Sequence, residues 1–247
     1  MKRYLSVLII GFMAVRLWAA DLPKQGFGFH IGYAQPALRL NSLSNPVSAK
    51  DSLSTNIQLL GFKAGVVYDG SIIKGFGTSI GINYTFGKYN SGWRAAGIIG
   101  DYPRSRQIVY YHEVELFADW QYKFEVAQET YLILYTGPTI QCGAGMKMRS
   151  DHQNDFDSEI TYSYYDGYSS ENENKNEQFK RFNVTWGVGA GFQYKRYFLR
   201  GGYDFGLINP YANNQFVDAA GNQLDRYTHG RLDQWQVKIG VYLWYED

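Results

Sequence analysis

Residues 182–195 read Phe-Asn-Val-Thr-Trp-Gly-Val-Gly-Ala-Gly-Phe-Gln-Tyr-Lys, and the order of these residues decides the fold class. Successive side chains of an extended strand point to opposite faces. Phe182, Val184, Trp186, Val188, Ala190, Phe192 and Tyr194 therefore share one face, while Asn183, Thr185, Gly187, Gly189, Gly191 and Gln193 share the other. So long an alternation outruns an ordinary soluble strand, and its apolar side ends in aromatics, the pattern of a strand that crosses a bilayer with that side toward lipid.

Seven further segments carry the same period, which predicts an all-β protein, an eight-stranded antiparallel up-and-down transmembrane β-barrel. Their apolar stripes are Phe27 to Tyr33, Leu60 to Tyr68, Phe76 to Phe86, Val114 to Phe124, Leu132 to Met146, Tyr197 to Leu207 and Trp235 to Tyr245, each taken at every second residue. None of these outward positions holds Asp, Glu, Lys or Arg, although 19% of the chain is charged. A Lys or Arg facing lipid at mid-bilayer costs roughly 2–4 kcal/mol, which gives the segregation a physical cause. The opposite faces hold Lys63, Glu113, Glu115, Asp119, Lys123, Lys147, Lys195, Arg200, Asp204 and Lys238.

Composition agrees with that reading. The 247 residues include 22 Tyr, 15 Phe and 6 Trp, an aromatic load suited to interfacial girdles. Residues 1–20 read as a secretory signal peptide, with Lys2 and Arg3 ahead of an apolar middle and Ala19-Ala20 at the exit, leaving 21–247 as the barrel domain. Beyond it no apolar run is long enough for a transmembrane helix. Removal of the leader leaves 21 basic residues against 23 acidic, a net charge of −2, which carries no nucleic-acid footprint. Cys142 is the only cysteine, so an internal disulfide is excluded.

Connections alternate long and short, with long ones near 36–56, 88–108, 149–179 and 209–231 and short ones at 69–75, 125–130 and 195–196. Brief periplasmic turns and extended outer loops are the habit of such barrels. Asp69-Gly70 and Lys195-Arg196 read as periplasmic turns, and a short hairpin around 160–165 is expected above strand five. Pro138 lacks an N–H for the ladder, which predicts a local bulge.

The candidate site is a lumen polar network of Lys63, Glu113, Glu115, Asp119, Lys123, Arg200, Asp204 and Lys238. Eight strands enclose only their own side chains, so these groups are expected to pair with one another and to leave no open pore, with Asp204 and Lys238 approaching one another or sharing a partner. Inward glycines such as Gly65, Gly81 and Gly189 leave room for Tyr111, Phe117, Tyr242 and Trp244. Catalysis would need a base at His30 or His112, with Ser79 as a lumen nucleophile, yet no local motif supports it. Asp151, Asp155, Asp157 and Glu159 match no calcium loop. No catalytic, cofactor-binding or metal-ligating residues are assigned. The alternatives are a barrel-embedded hydrolase or lipid-modifying enzyme, and a soluble lipocalin-like binding barrel with its faces reversed.

Thr136-Gly137-Pro138, Trp186-Gly187-Val188-Gly189-Ala190-Gly191, Tyr203-Asp204-Phe205-Gly206-Leu207-Ile208-Asn209 and the final strand Val237 to Tyr245 give roughly the last half of the chain its resemblance to a family. The chain resembles the outer-membrane β-barrel family common in Bacteroidota, called PorT-like. That resemblance implies an outer-membrane location, lipid as the surrounding partner and a C-terminal aromatic signal read by the outer-membrane assembly machinery during insertion. Here Tyr245 is followed by Glu246 and Asp247. The long outer loops are left to bind a ligand or protein partner.

Overall fold

The computed structural model describes residues 25–43, 56–73, 75–90, 92, 94–95, 104–152, 160–163, 165, 179–210, 216–217, 223–224 and 227–246. Eight long strands dominate: β1 (Gln25–Leu43), β2 (Leu60–Ile73), β3 (Phe76–Asn90), β4 (Arg104–Ala127), β5 (Thr130–His152), β6 (Phe182–Tyr194), β7 (Tyr197–Gly206) and β8 (Tyr227–Glu246). Each pairs antiparallel with its sequence neighbour, and β1 pairs with β8 from Gln25↔Glu246 to Leu43↔Tyr227, which closes the ring. Closure removes both sheet edges, so every strand has a hydrogen-bonding neighbour on each side. The predicted residues 1–20 and the loop carboxylates Asp155, Asp157 and Glu159 lie outside the described residues.

The faces are those expected of a transmembrane β-barrel. Ile82 is 51% exposed and Ile239 58%, both on the outer wall, while their neighbours Asn83 and Lys238 are buried within it. Aromatics such as Phe27, Phe76, Tyr194 and Tyr197 lie near the turn end, and Tyr84, Phe182 and Phe205 toward the loop end, with aliphatic side chains of Ile31, Ile80, Leu134 and Leu199 between them. A lipocalin-like barrel would need the reverse arrangement.

Several strand details differ from the sequence expectation, each for a local reason. Asp69-Gly70 is no turn: both residues are paired within β2, opposite Ser79 and Thr78, and the chain reverses between Ile73 and Phe76, where Gly75 takes φ +76°. A positive φ is nearly free for glycine and strained for most other residues. Lys195, at φ +52°, does begin the turn to β7, but its side chain is exposed and pairs with Glu129 at 3.5 Å. Lys195 is therefore not a lumen charge.

Two bulges exchange inside for outside. The β4–β5 ladder passes from His112↔Gly145 to Glu113↔Gly143, so the extra residue turns Met146 into the core and Lys147 outward, opposite to the expected order. Near the C-terminus the step from Phe27↔Trp244 to Gly28↔Tyr242 does the same: Trp244 is exposed and Tyr245 packs inward against Tyr242. One extra residue reverses the facing of everything beyond it. Pro138, by contrast, forms no bulge. Its register with β6 runs unbroken through Pro138↔Trp186, and the β4 ladder resumes in step on either side at Thr136↔Trp120 and Thr139↔Phe117.

The strands also outrun the expected connections. β5 has 23 residues and β4 has 24, against the roughly 9–11 that a tilted strand needs to cross a bilayer. The barrel wall therefore continues beyond the apolar zone at the loop end. There Ile160–Ser163 pairs back on β5 through Lys147↔Ser163, forming the expected hairpin.

Candidate functional site: the filled lumen

Alternation aims one side chain in two at the barrel axis, and the aimed polar groups meet in two connected sets. In the first, Asp69 Oδ2 accepts hydrogen bonds from Lys123 Nζ at 3.1 Å, Arg200 Nη2 at 2.8 Å and Tyr242 OH at 2.5 Å. Arg200 also donates to Ser79 Oγ at 2.8 Å and to Gln121 Oε1 at 3.1 Å, and its guanidinium carbon lies 5.1 Å from the centre of the Phe198 ring. Lys123 reaches Gln193 Oε1 at 3.0 Å, and Gln193 in turn donates to Tyr245 OH at 2.6 Å. Six strands, β2, β3, β4, β6, β7 and β8, are tied together by this one carboxylate and its two cations.

Glu115 centres the second set. Its Oε2 accepts from Lys63 Nζ at 2.7 Å and Asn83 Nδ2 at 2.9 Å, and its Oε1 from Thr85 Oγ1 at 3.0 Å and Gln234 Nε2 at 2.9 Å. Lys63 also donates to Gln236 Oε1 at 2.9 Å, and Gln236 passes the chain on to Asp204 Oδ2 at 2.8 Å. Charged hydrogen bonds of this kind offset the desolvation that an isolated buried ion would suffer. Glu113 is buried beside this set and accepts from Tyr111 OH.

Asp204 and Lys238 form no direct pair. The two face the same lumen from neighbouring strands, but Arg200 stands opposite Lys238 and Gln234 opposite Asp204. Asp204 is held by Gln236, whereas Lys238 Nζ sits 4.9 Å from the centre of the Phe117 ring. Among the described residues the pair forms no ion pair, and Asp119 shares their buried environment without one.

Above the ionic sets the lumen turns apolar. Leu59, Val109, Tyr111, Met146, Tyr165 and Phe179 form one buried cluster, joined by Tyr89 and Leu232. Tyr165 lies directly against Gly143, where any side chain would collide with the ring, and the Arg181 guanidinium carbon lies 5.2 Å from the ring centre. The same small-against-large fit places Phe117 over Gly81. At the turn end a small, partly open pocket bordered by Asp69, Gln121, Lys123 and Tyr245 has a volume of about 10 Å³, room for a single water.

The histidines are engaged elsewhere. His30 Nε2 is hydrogen-bonded to Asn83 Oδ1 at 2.7 Å, flanked by the rings of Phe117 and Phe198, while Ser79 is held by Arg200. His112 faces the outer wall, where its Nδ1 shares a 2.5 Å hydrogen bond with Tyr84 OH. His30 and Ser79 are thus turned to different partners. Among the described residues no cluster of three metal-ligating side chains occurs.

Sequence reasoning missed Asp69, Asn83, Gln121, Gln234 and Gln236, and it placed Gln193 and Tyr242 inward without joining them to the network. The signal was available for Asp69, which has the same parity as Lys63 on one strand. The amides were available too, since each alternates with an outward apolar residue.

No family model matches the chain, and no curated protein matches it. Solved structures similar to it are outer-membrane proteins. The attachment invasion locus protein Ail of Yersinia pestis is 11% identical, over 89% of this chain and 99% of that one, with a TM-score of 0.43. The outer membrane protease OmpT of Escherichia coli is 8% identical, over 91% and 99%, with a TM-score of 0.41. Neisserial surface protein A is 12% identical, over 87% and 96%, with a TM-score of 0.39.

Proposed function

We propose that the protein is an integral β-barrel of the bacterial outer membrane, non-enzymatic, closed along its axis, and acting through its loop-end surface on a ligand or protein partner. The observation that carries this reading is the opposition of the two faces. Ile82, Trp186 and Ile239 face outward while Lys63, Glu115, Arg200 and Lys238 are buried on the axis. Only hydrocarbon rewards such a wall, because water would be left against a continuous apolar band far larger than a soluble monomer exposes.

The filled lumen supports the non-channel, non-enzymatic part of the reading. Lys63 is bound to Glu115 and Lys123 and Arg200 to Asp69, with the apolar cluster of Tyr111, Met146 and Tyr165 above them. The exposed Trp244 at the end of β8 is the aromatic group that the outer-membrane assembly machinery would meet during insertion. The finer PorT-like assignment rests on the quoted motifs of β5, β6 and β7.

Fractionation tests location: the protein should require detergent for extraction and should migrate differently on gels before and after boiling. Recovery in the soluble periplasmic fraction would overturn the reading. Deleting residues 166–178 should leave that heat-dependent shift intact and abolish loop-mediated binding to cells or envelope extracts. Unchanged binding after deletion of each long loop in turn would remove the interaction role.

A further inference from the structure

The outer wall carries a row of four side chains that the filled lumen and the loops do not explain. Leu60 pairs with Lys88, Lys88 with Tyr110, and Tyr110 with Lys147, so one residue from each of β2, β3, β4 and β5 lies in a single line across the sheet. All four point outward, because their chain neighbours Leu59, Gly87, Val109, Tyr111 and Met146 are buried in the barrel. Adjacent strands are spaced about 4.8 Å apart, which sets the two lysine backbones about 10 Å from one another with the tyrosine between them.

The row is built rather than scattered. Lys88 Nζ lies 5.4 Å from the centre of the Tyr110 ring, and that ring sits tilted beside Phe86, 6.5 Å between centres, one step nearer the apolar zone. Lys147 is outward only because of the bulge at Gly143–Gly145. Beside Lys88 opens a groove of about 410 Å³ lined by Gln35, Gln58, Leu60, Tyr89 and Asn90. Gln35 is fixed there by Gln58 and by the indole of Trp235.

The geometry points to a binding site for the phosphorylated headgroup of a lipid in the leaflet around the loop end. This rests on the membrane-barrel reading above and adds a ligand to it. Two ammonium groups flanking a ring match phosphate oxygens by charge, the carboxamides of Gln35 and Gln58 with Asn90 supply hydrogen bonds to sugar or glycerol oxygens, and Leu60, 67% exposed, begins the path of an acyl chain down the wall. At the turn end the exposed Lys195 also lies over a tyrosine ring, 5.6 Å from the centre of Tyr194, but there its charge is paired with Glu129.

The test uses the full chain in phosphatidylcholine nanodiscs doped with a diphosphorylated lipid-A-type glycolipid or its dephosphorylated form, with lipid retention counted by native mass spectrometry. The wild type should retain the phosphorylated form roughly tenfold better, and Lys88→Gln with Lys147→Gln should remove that preference while the turn-end control Lys195→Gln keeps it. Equal retention of both lipids, an unaltered preference in the double variant, or displacement by millimolar inorganic phosphate would each overturn the site. The heat-dependent gel shift of the same samples reads the barrel independently, so losing the lipid preference with the shift intact condemns this site alone.

Discussion

Near the turns, the lumen is filled by ions and amides gathered on Asp69 and Glu115; toward the loops it is filled by Leu59, Val109, Tyr111, Met146, Tyr165 and Phe179. The same strands, with the same alternation, carry both fillings. What differs is the dependence of each residue on its neighbours. An ionic group is tolerable in the interior only while its partner is present, whereas an apolar side chain needs only matching volume. The ionic half should therefore be brittle toward single substitutions and the apolar half forgiving.

The largest break in this comparison is Asp69→Ala. It leaves Lys123 and Arg200 buried without their shared carboxylate, and removing one partner of a buried pair costs about 3–5 kcal/mol. Urea unfolding in detergent micelles, followed by tryptophan fluorescence, should show a loss of that order. Replacing Asp69, Lys123 and Arg200 together by Leu, Met and Met should cost less than the single change. If the triple variant is the weaker one, the set contributes net stability and the brittleness argument fails.

A comparison of wall with lumen comes next in size. Ile82→Arg puts a guanidinium against hydrocarbon in the middle of β3 and should cost about 2–4 kcal/mol in the same assay, with reduced insertion into lipid vesicles. Gln236→Leu ranks below it. That change removes the amide bridging Lys63 to Asp204 and leaves two charged groups each short of one hydrogen bond, a loss of about 1–3 kcal/mol. A neutral result would mean that water enters to replace the amide.

The two fillings also differ in how far they can be read from sequence. The ring of strands was legible because period-2 alternation is enforced residue by residue wherever lipid touches one face, as between Phe182 and Tyr194. Facing failed where a bulge inserted a residue, at Met146–Lys147 and at Trp244–Tyr245, since nothing local marks which strand carries the extra residue, and at Lys195, where the chain already turns. Asp69 was hidden by its own dipeptide: Asp-Gly is a strong turn signal, and here the sheet overrode it. Partnerships such as Lys63 with Glu115, 52 residues apart, depend on the rotation between nonadjacent strands, which alternation does not encode. Tyr165 and Phe179 reach the apolar cluster from segments outside the long strands, where no period applied.

The smallest effect is expected in the apolar half, and it is the one that sharpens the comparison. Met146 is 6% exposed and packs beside Leu59 and Tyr165 through an unbranched side chain that tolerates replacement by a group of similar volume. Met146→Leu should therefore cost less than about 1.5 kcal/mol, with unfolding still cooperative. Its neighbour supplies the control, because the bulge that turns Met146 inward turns Lys147 out, and Lys147→Leu should leave stability nearly unchanged. If Met146→Leu instead proves as damaging as Asp69→Ala, the loop-end cluster is a rigid fitted plug whose shape holds the mouth of the barrel, and forgiveness toward substitution would not distinguish the two halves of the lumen.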